Sequence, residues 1–112
     1  MSEIVVAGSF KAKPGKEEEA VEAMLALVQP THDEEGCILY AFNRGADDPA
    51  DMAFVERWSS KKTHDAHMAS PHIKAILERV EELFGDNASI VRYDEVPAGE
   101  ERKGALSAHA AA

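Results

Sequence analysis

Side chains of the types that move protons gather between positions 56 and 72, Glu56 and then His64, His67 and His72, with Trp58 beside the first. A histidine takes or gives a proton near neutral pH because its unperturbed pKa is about 6.5. Glu56 shares a strand face with apolar neighbours, and a carboxylate buried there has to be paired, hydrogen-bonded or protonated. It is a candidate to orient a histidine or to act as a base itself. The indole of Trp58 can flank a flat aromatic molecule. Tyr40, Phe42 and Phe54 are candidates for the rest of a pocket wall, and Asn43 is polar enough to hold a hydroxyl. The histidines also offer three nitrogens in a His-x2-His-x4-His spacing. That spacing is not an established zinc pattern, and His72 follows a helix break, so no metal is expected. No Gly-rich phosphate loop or cysteine cluster is present either, so no cofactor is expected.

The elements that must position these groups follow from periodicity. Residues 3–10 are rich in Ile and Val and predict a strand covered on both faces. After the Pro14-Gly15 turn, three glutamates favour a helix N-terminus, and Ala20, Val21, Met24, Leu25 and Val28 recur at helical spacing. This predicts a helix over about 16–29, stopped by Pro30. Residues 37–44 and 52–58 read as strands joined by the turn-rich 45–51 segment. On the second of these strands Met52, Phe54, Glu56 and Trp58 share one face.

Ser59 or Ser60 can cap a short helix running to about Ala69. Ser70-Pro71 restarts the chain as a second helix, with Ile73, Ile76, Leu77, Val80 and Leu83 or Phe84 on one face and Gly85 closing it. Residues 88–95 predict a last strand. From Pro97 onward the sequence is small and polar, so the division is a domain over 1–96 and a tail over 97–112 that leans on something else, such as a partner chain. The order β-α-β-β-α-β is the ferredoxin-like split arrangement: an α+β fold with an antiparallel sheet carrying its helices on one face. Strands apolar on both faces need their open side covered, and a second copy closing a barrel is the simplest cover, so a homodimer is expected.

Composition excludes several partner classes. The net charge of -9, with no Lys/Arg cluster to track a phosphate backbone, argues against nucleic acid. It also disfavours strongly anionic substrates unless Arg44 or Arg57 receives one locally. No apolar run reaches the ~20 residues of a membrane span, and the first residues have no basic n-region, so a cytoplasmic protein away from membranes is expected. The single cysteine, Cys37, sits in an apolar strand context and reads as a buried inert thiol.

The run Glu56-Arg57-Trp58, then His67-Met68-Ala69-Ser70-Pro71-His72, set in this order of elements from about Glu3 to Asp94, resembles the antibiotic biosynthesis monooxygenase family of dimeric α+β barrels. The resemblance implies a small homodimer with a pocket between each sheet and its helices. It further implies oxidation of a small aromatic polyol or quinol by dioxygen without metal, flavin or haem. In that chemistry His67 or His72 takes a proton from a dihydroxy-aromatic substrate held by Trp58 and Asn43. The electron-rich anion then passes an electron to dioxygen and the radicals recombine. The haem-degrading branch resembles this chain poorly, because it needs an Asn near the end of the first strand and a His on the long helix, where this chain has Ala7-Gly8 and Ile76-Leu77. An isomerase of a small hydroxy-carbonyl compound using the same histidines, or a non-catalytic small-ligand-binding dimer, are the alternatives.

Overall fold

The computed structural model describes residues 2–109. Four strands, β1 (Ile4–Lys11), β2 (Cys37–Arg44), β3 (Asp51–Trp58) and β4 (Ala88–Tyr93), form one antiparallel sheet in the order β2-β3-β1-β4. The helices between them are α1 (Glu17–Leu25), α2 (Val28–His32), α3 (Lys61–Met68), α4 (Pro71–Leu77) and α5 (Val80–Leu83). This is the expected α+β ferredoxin-like topology, with central strands β1 and β3 joined by eight register pairs from Ile4 opposite Trp58 to Lys11 opposite Asp51. Ile4, Val6, Met52, Phe54 and Trp58 are buried under the helices with Met24, Ile73, Ile76, Leu83 and Phe84.

Of the three predicted helices, the first and the last are subdivided. The first stops at Leu25, where the Leu27 N–H turns back to the Met24 carbonyl at 3.1 Å. Pro30 does not end it; it sits in the first turn of α2, where its missing N–H costs little. The last divides at Glu78 and Arg79, where the Arg79 N–H bonds the Ile76 carbonyl at 2.9 Å and tightens the turn. The restart carries Leu83 and Phe84 inward to full burial. Arg79 meanwhile reaches Glu19 at 2.6 Å and Glu82 at 3.2 Å. Gly85 closes the run at φ 60, as its position predicted.

On β2 a register shift between Cys37 and Leu39 takes Ile38 out of the ladder and leaves it exposed. Tyr40 and Phe42 still face the core, opposite Glu56 and Phe54. The other sheet face is open in the single chain, and every residue of β4 is exposed. The last strand ends at Tyr93 rather than Glu95. Beyond it the tail makes a 3-10 turn at Leu106–His109, and the Ser107 N–H donates to Glu95 at 3.0 Å. The final three residues of the expected tail lie outside the described residues. Among the described residues no helix is long and apolar enough to cross a membrane.

Candidate active site

Alternation along β3 puts Glu56 and Trp58 on the face that meets the helices, and both are buried. The Trp58 Nε1–H donates to Glu56 Oε1 at 2.8 Å. Burial nevertheless dominates, with Glu34 adding repulsion, and the Glu56 carboxyl is pushed up to about 7 despite the indole N–H holding it down. The group is therefore poised between acid and base at neutral pH.

The histidines arrive from α3 and α4, each started by a serine. Ser60 accepts from the Thr63 N–H at 3.2 Å while Thr63 returns a bond to the Ser60 N–H, a complete capping box. This fixes the rotation of α3 so that His64 and His67 both point inward, each 2 % exposed. Ser70 caps α4 with Pro71 at its first position, which sets His72 at the junction.

The carboxylate that organises them comes from a loop. Glu34 Oε2 lies 2.7 Å from His67 Nδ1 and 2.8 Å from His72 Nε2. Its placement depends on Gly36, whose φ of 84 lies in the left-handed region and whose carbonyl accepts from the Ser59 N–H at 2.9 Å. A Cβ there would stand 2.5 Å from the Thr63 side chain. Glycine thus lets the 33–36 loop press against the start of α3, which delivers Glu34 to the histidines.

His67 Nδ1 is engaged by Glu34, which leaves Nε2 as the nitrogen available to a substrate. Burial lowers the His67 pKa and the Glu34 hydrogen bond opposes it, so the ring is neutral and able to accept a proton at neutral pH. Its ring lies against Trp58 at 4.6 Å between centroids and edge-on to Tyr40 at 5.4 Å. Tyr40 stacks on Phe54 at 4.3 Å. Burial and the nearby Glu56 push the Tyr40 hydroxyl far up, so it stays protonated as a donor.

Beside these groups lies a cavity between sheet and helices of about 40 Å³, walled by Tyr40, Phe54, Glu56, His67 and apolar side chains that include Met24 and Met68. It holds a water or two and is too small for an aromatic ring as closed here. Leu77 and Ile90 on its rim are about half exposed, and the two methionines are the most adaptable side chains of its wall.

The structure brings Glu56, Trp58, His67, His72, Tyr40 and Phe54 together, but only Tyr40, Phe54, Glu56 and His67 of the predicted residues stand on the cavity wall, and Trp58, His72, Phe42, Asn43 and His64 lie off it. Asn43 lies on the other face of the sheet, opposite Ala53, where its amide donates to the Ala41 carbonyl at 3.2 Å. It cannot hold a substrate against Trp58, because one residue of register separates it from the inward Phe42. His64 is buried behind the site, its Nε2 3.9 Å from Glu56, and neither ring nitrogen has a hydrogen-bond partner. Burial and the nearby Arg92 lower its pKa to about 4, so it is neutral. Arg44 and Arg57, the candidates to receive an anion, are already paired with Glu18 and Glu3. The Cys37 thiol is pushed up to about 11, chiefly by burial, and stays protonated. Glu34 was not legible in the sequence: it sits in a polar loop with no spacing relation to the histidines.

Comparison with known proteins agrees with the fold. The family model for antibiotic biosynthesis monooxygenases matches residues 3–79. The chain is 32% identical over 90 residues to the uncharacterized protein sll1783 of Synechocystis, covering 80% of this chain and 61% of that protein's own length. It is 32% identical over 84 residues to the candidate monooxygenase Rv0793 of Mycobacterium tuberculosis, covering 74% of this chain and 81% of that protein. The crystal structure of SO0527 from Shewanella oneidensis superposes with a TM-score of 0.82 at 33% identity, over 87% of this chain and 94% of that one. With the family model spanning most of its length and the fold superposing on solved relatives, the chain belongs to the antibiotic biosynthesis monooxygenase family.

Proposed function

We propose that the protein is a cytoplasmic, homodimeric monooxygenase that oxidises a small aromatic polyol or quinol with dioxygen and no cofactor, using His67 as the base. The observation that carries this reading is a buried imidazole on the cavity wall whose Nδ1 is held by the Glu34 carboxylate at 2.7 Å. Such a carboxylate fixes the tautomer and ring orientation, so that Nε2 presents a lone pair. His72 holds Glu34 from the other side at 2.8 Å and acts as a positioning residue.

In this mechanism His67 takes the proton of a substrate hydroxyl. The resulting anion passes one electron to dioxygen, and superoxide recombines with the substrate radical at carbon to form a peroxide. Loss of water from that peroxide leaves one oxygen atom in the oxidised ring. All four electrons that reduce dioxygen come from the substrate, two in forming the peroxide and two from the C–H bond that breaks together with the O–O bond, and Glu56 carries that carbon's proton to the departing hydroxide. The aromatic walls Tyr40 and Phe54 orient the ring and exclude solvent, while Trp58 backs the His67 ring. The dimer is supported by apolar groups on the open sheet face, among them Val91 and Tyr93, which are 41% and 50% exposed.

The test is oxygen uptake by chelator-treated protein with a panel of quinols and polyphenols, beside His67→Ala. Uptake above background that falls by about 10²-fold or more in the variant supports the reading. Absence of uptake with every compound overturns it. Turnover without oxygen of a hydroxy-carbonyl compound would then identify an isomerase.

A further inference from the structure

Glu34, His67 and His72 present three ligating atoms within 4.8 Å of one another, a carboxylate oxygen and two imidazole nitrogens. We infer that these three side chains form a binding site for a divalent first-row metal ion such as Zn²⁺, and that occupation of this site withdraws His67 from proton transfer. The set differs from the three histidines suggested by spacing, since Glu34 takes the place of His64.

The geometry supports coordination. A metal held tetrahedrally at about 2.0–2.2 Å by each ligand needs neighbouring ligand atoms about 3.4 Å apart. The two oxygen–nitrogen spacings are 2.7 and 2.8 Å and all three ligand atoms lie within 4.8 Å of one another, so side-chain adjustments that open the two hydrogen-bonded pairs would let them take one face of a coordination sphere. Two histidines and one carboxylate on one side of an ion leave its other positions open, a set that suits Zn²⁺, Fe²⁺ or Co²⁺.

The site is also prepared and reachable. The Ser60 capping box holds His67, the Ser70 cap and Pro71 hold His72, and the Gly36 turn holds Glu34. His67 is closed off at 2 % exposure, whereas the Glu34 and His72 side chains keep 17% and 19% of their surface, so an ion has an approach from solvent. The net charge of -9 favours cations near the surface.

Coordination has a consequence for the neighbouring cavity. A metal on His67 Nδ1 takes the lone pair there and obliges the ring to carry its proton on Nε2. The nitrogen proposed as base becomes a donor. The ion replaces the protons shared by Glu34 and the two rings and acts as an inhibitor, so this inference rests in part on the proposed base.

The test is calorimetric titration of the full chain, freed of metal by chelation, with Zn²⁺, together with visible absorption on adding Co²⁺. The expected result is one ion per chain and a Co²⁺ spectrum of mixed nitrogen and oxygen ligation. Glu34→Gln and His72→Ala should each weaken Zn²⁺ binding by about 100-fold or more, at or beyond the upper end of the 10- to 100-fold cost of losing a group that only supports a ligand. His109→Ala, in the exposed tail, should leave it unchanged, and Trp58 fluorescence confirms that each variant is folded. Zn²⁺ binding to Glu34→Gln and His72→Ala as tight as to the wild type, or no saturable binding at all, overturns the site. These readouts need no turnover, so absence of oxygen uptake bears on the monooxygenase and leaves the metal site standing. Oxygen uptake that Zn²⁺ suppresses in the wild type and not in His72→Ala supports both.

Discussion

Replacing Glu56 by Gln tests whether burial controls the site. The Gln Oε1 still accepts from Trp58 Nε1, so the variant keeps the 2.8 Å hydrogen bond and the volume and loses only the ionisable proton. The folded protein holds Glu56 at about 7 against 4.5 in a free chain. The stability contributed by this group is complete below the free-chain value and is lost as pH climbs through the folded one. At about 1.36 kcal/mol per pKa unit, full ionisation costs about 3 kcal/mol, of which about 2.5 kcal/mol falls between about pH 5 and pH 8. The groups facing Glu56 are His64 and His67 from α3, Tyr40 from β2 and Glu34 from the loop. All of these remain in the variant, so their own titration cancels in the difference to first order. Urea unfolding at both pH values, followed by the fluorescence of Trp58, the one tryptophan, measures it. Glu56→Gln should gain about 2.5 kcal/mol on the wild type as pH rises across this window. Parallel stabilities at the two pH values would show that Glu56 ionises normally and refute the argument from burial.

Gly36→Ala should lose about 2 kcal/mol or more in urea unfolding, because the left-handed φ is strained for alanine and its Cβ meets Thr63 at 2.5 Å. Its residual oxygen uptake should fall with the displaced Glu34, whereas an unperturbed variant would refute the role given to this turn. Ser60→Ala removes the hydrogen bond to the Thr63 N–H and should cost about 1 kcal/mol by the same assay. Phe84→Ala opens a cavity where the ring is fully buried 5.3 Å from Phe10, and should cost about 3–5 kcal/mol. His72→Ala should lower oxygen uptake less than His67→Ala, because His72 touches Glu34 and lies off the cavity wall. Equal losses would place both rings on the substrate.

The sequence by itself determined the elements and what each carries. Alternation on 52–58 put Met52, Phe54, Glu56 and Trp58 on one face, and all four are buried there. Ser59-Ser60 and Ser70-Pro71 announced the two helix starts, with the structure choosing Ser60 of the first pair, because capping is a local contest for backbone N–H groups that neighbouring residues decide. Local signals were insufficient where packing intervened. The breaks after Leu25 and Leu77 answer to the burial of Leu83 and Phe84 and to Arg79 reaching Glu19, contacts distant in sequence. Only the tertiary structure decided the site. It set Glu34 on His67 and His72, 33 and 38 residues away, through a loop that bends at Gly36. It also turned Asn43 to the opposite sheet face and left His64 behind Trp58 with no partner. Proton transfer depends on separations of a few ångströms between side chains on different elements, and those separations exist only once the sheet and helices have packed.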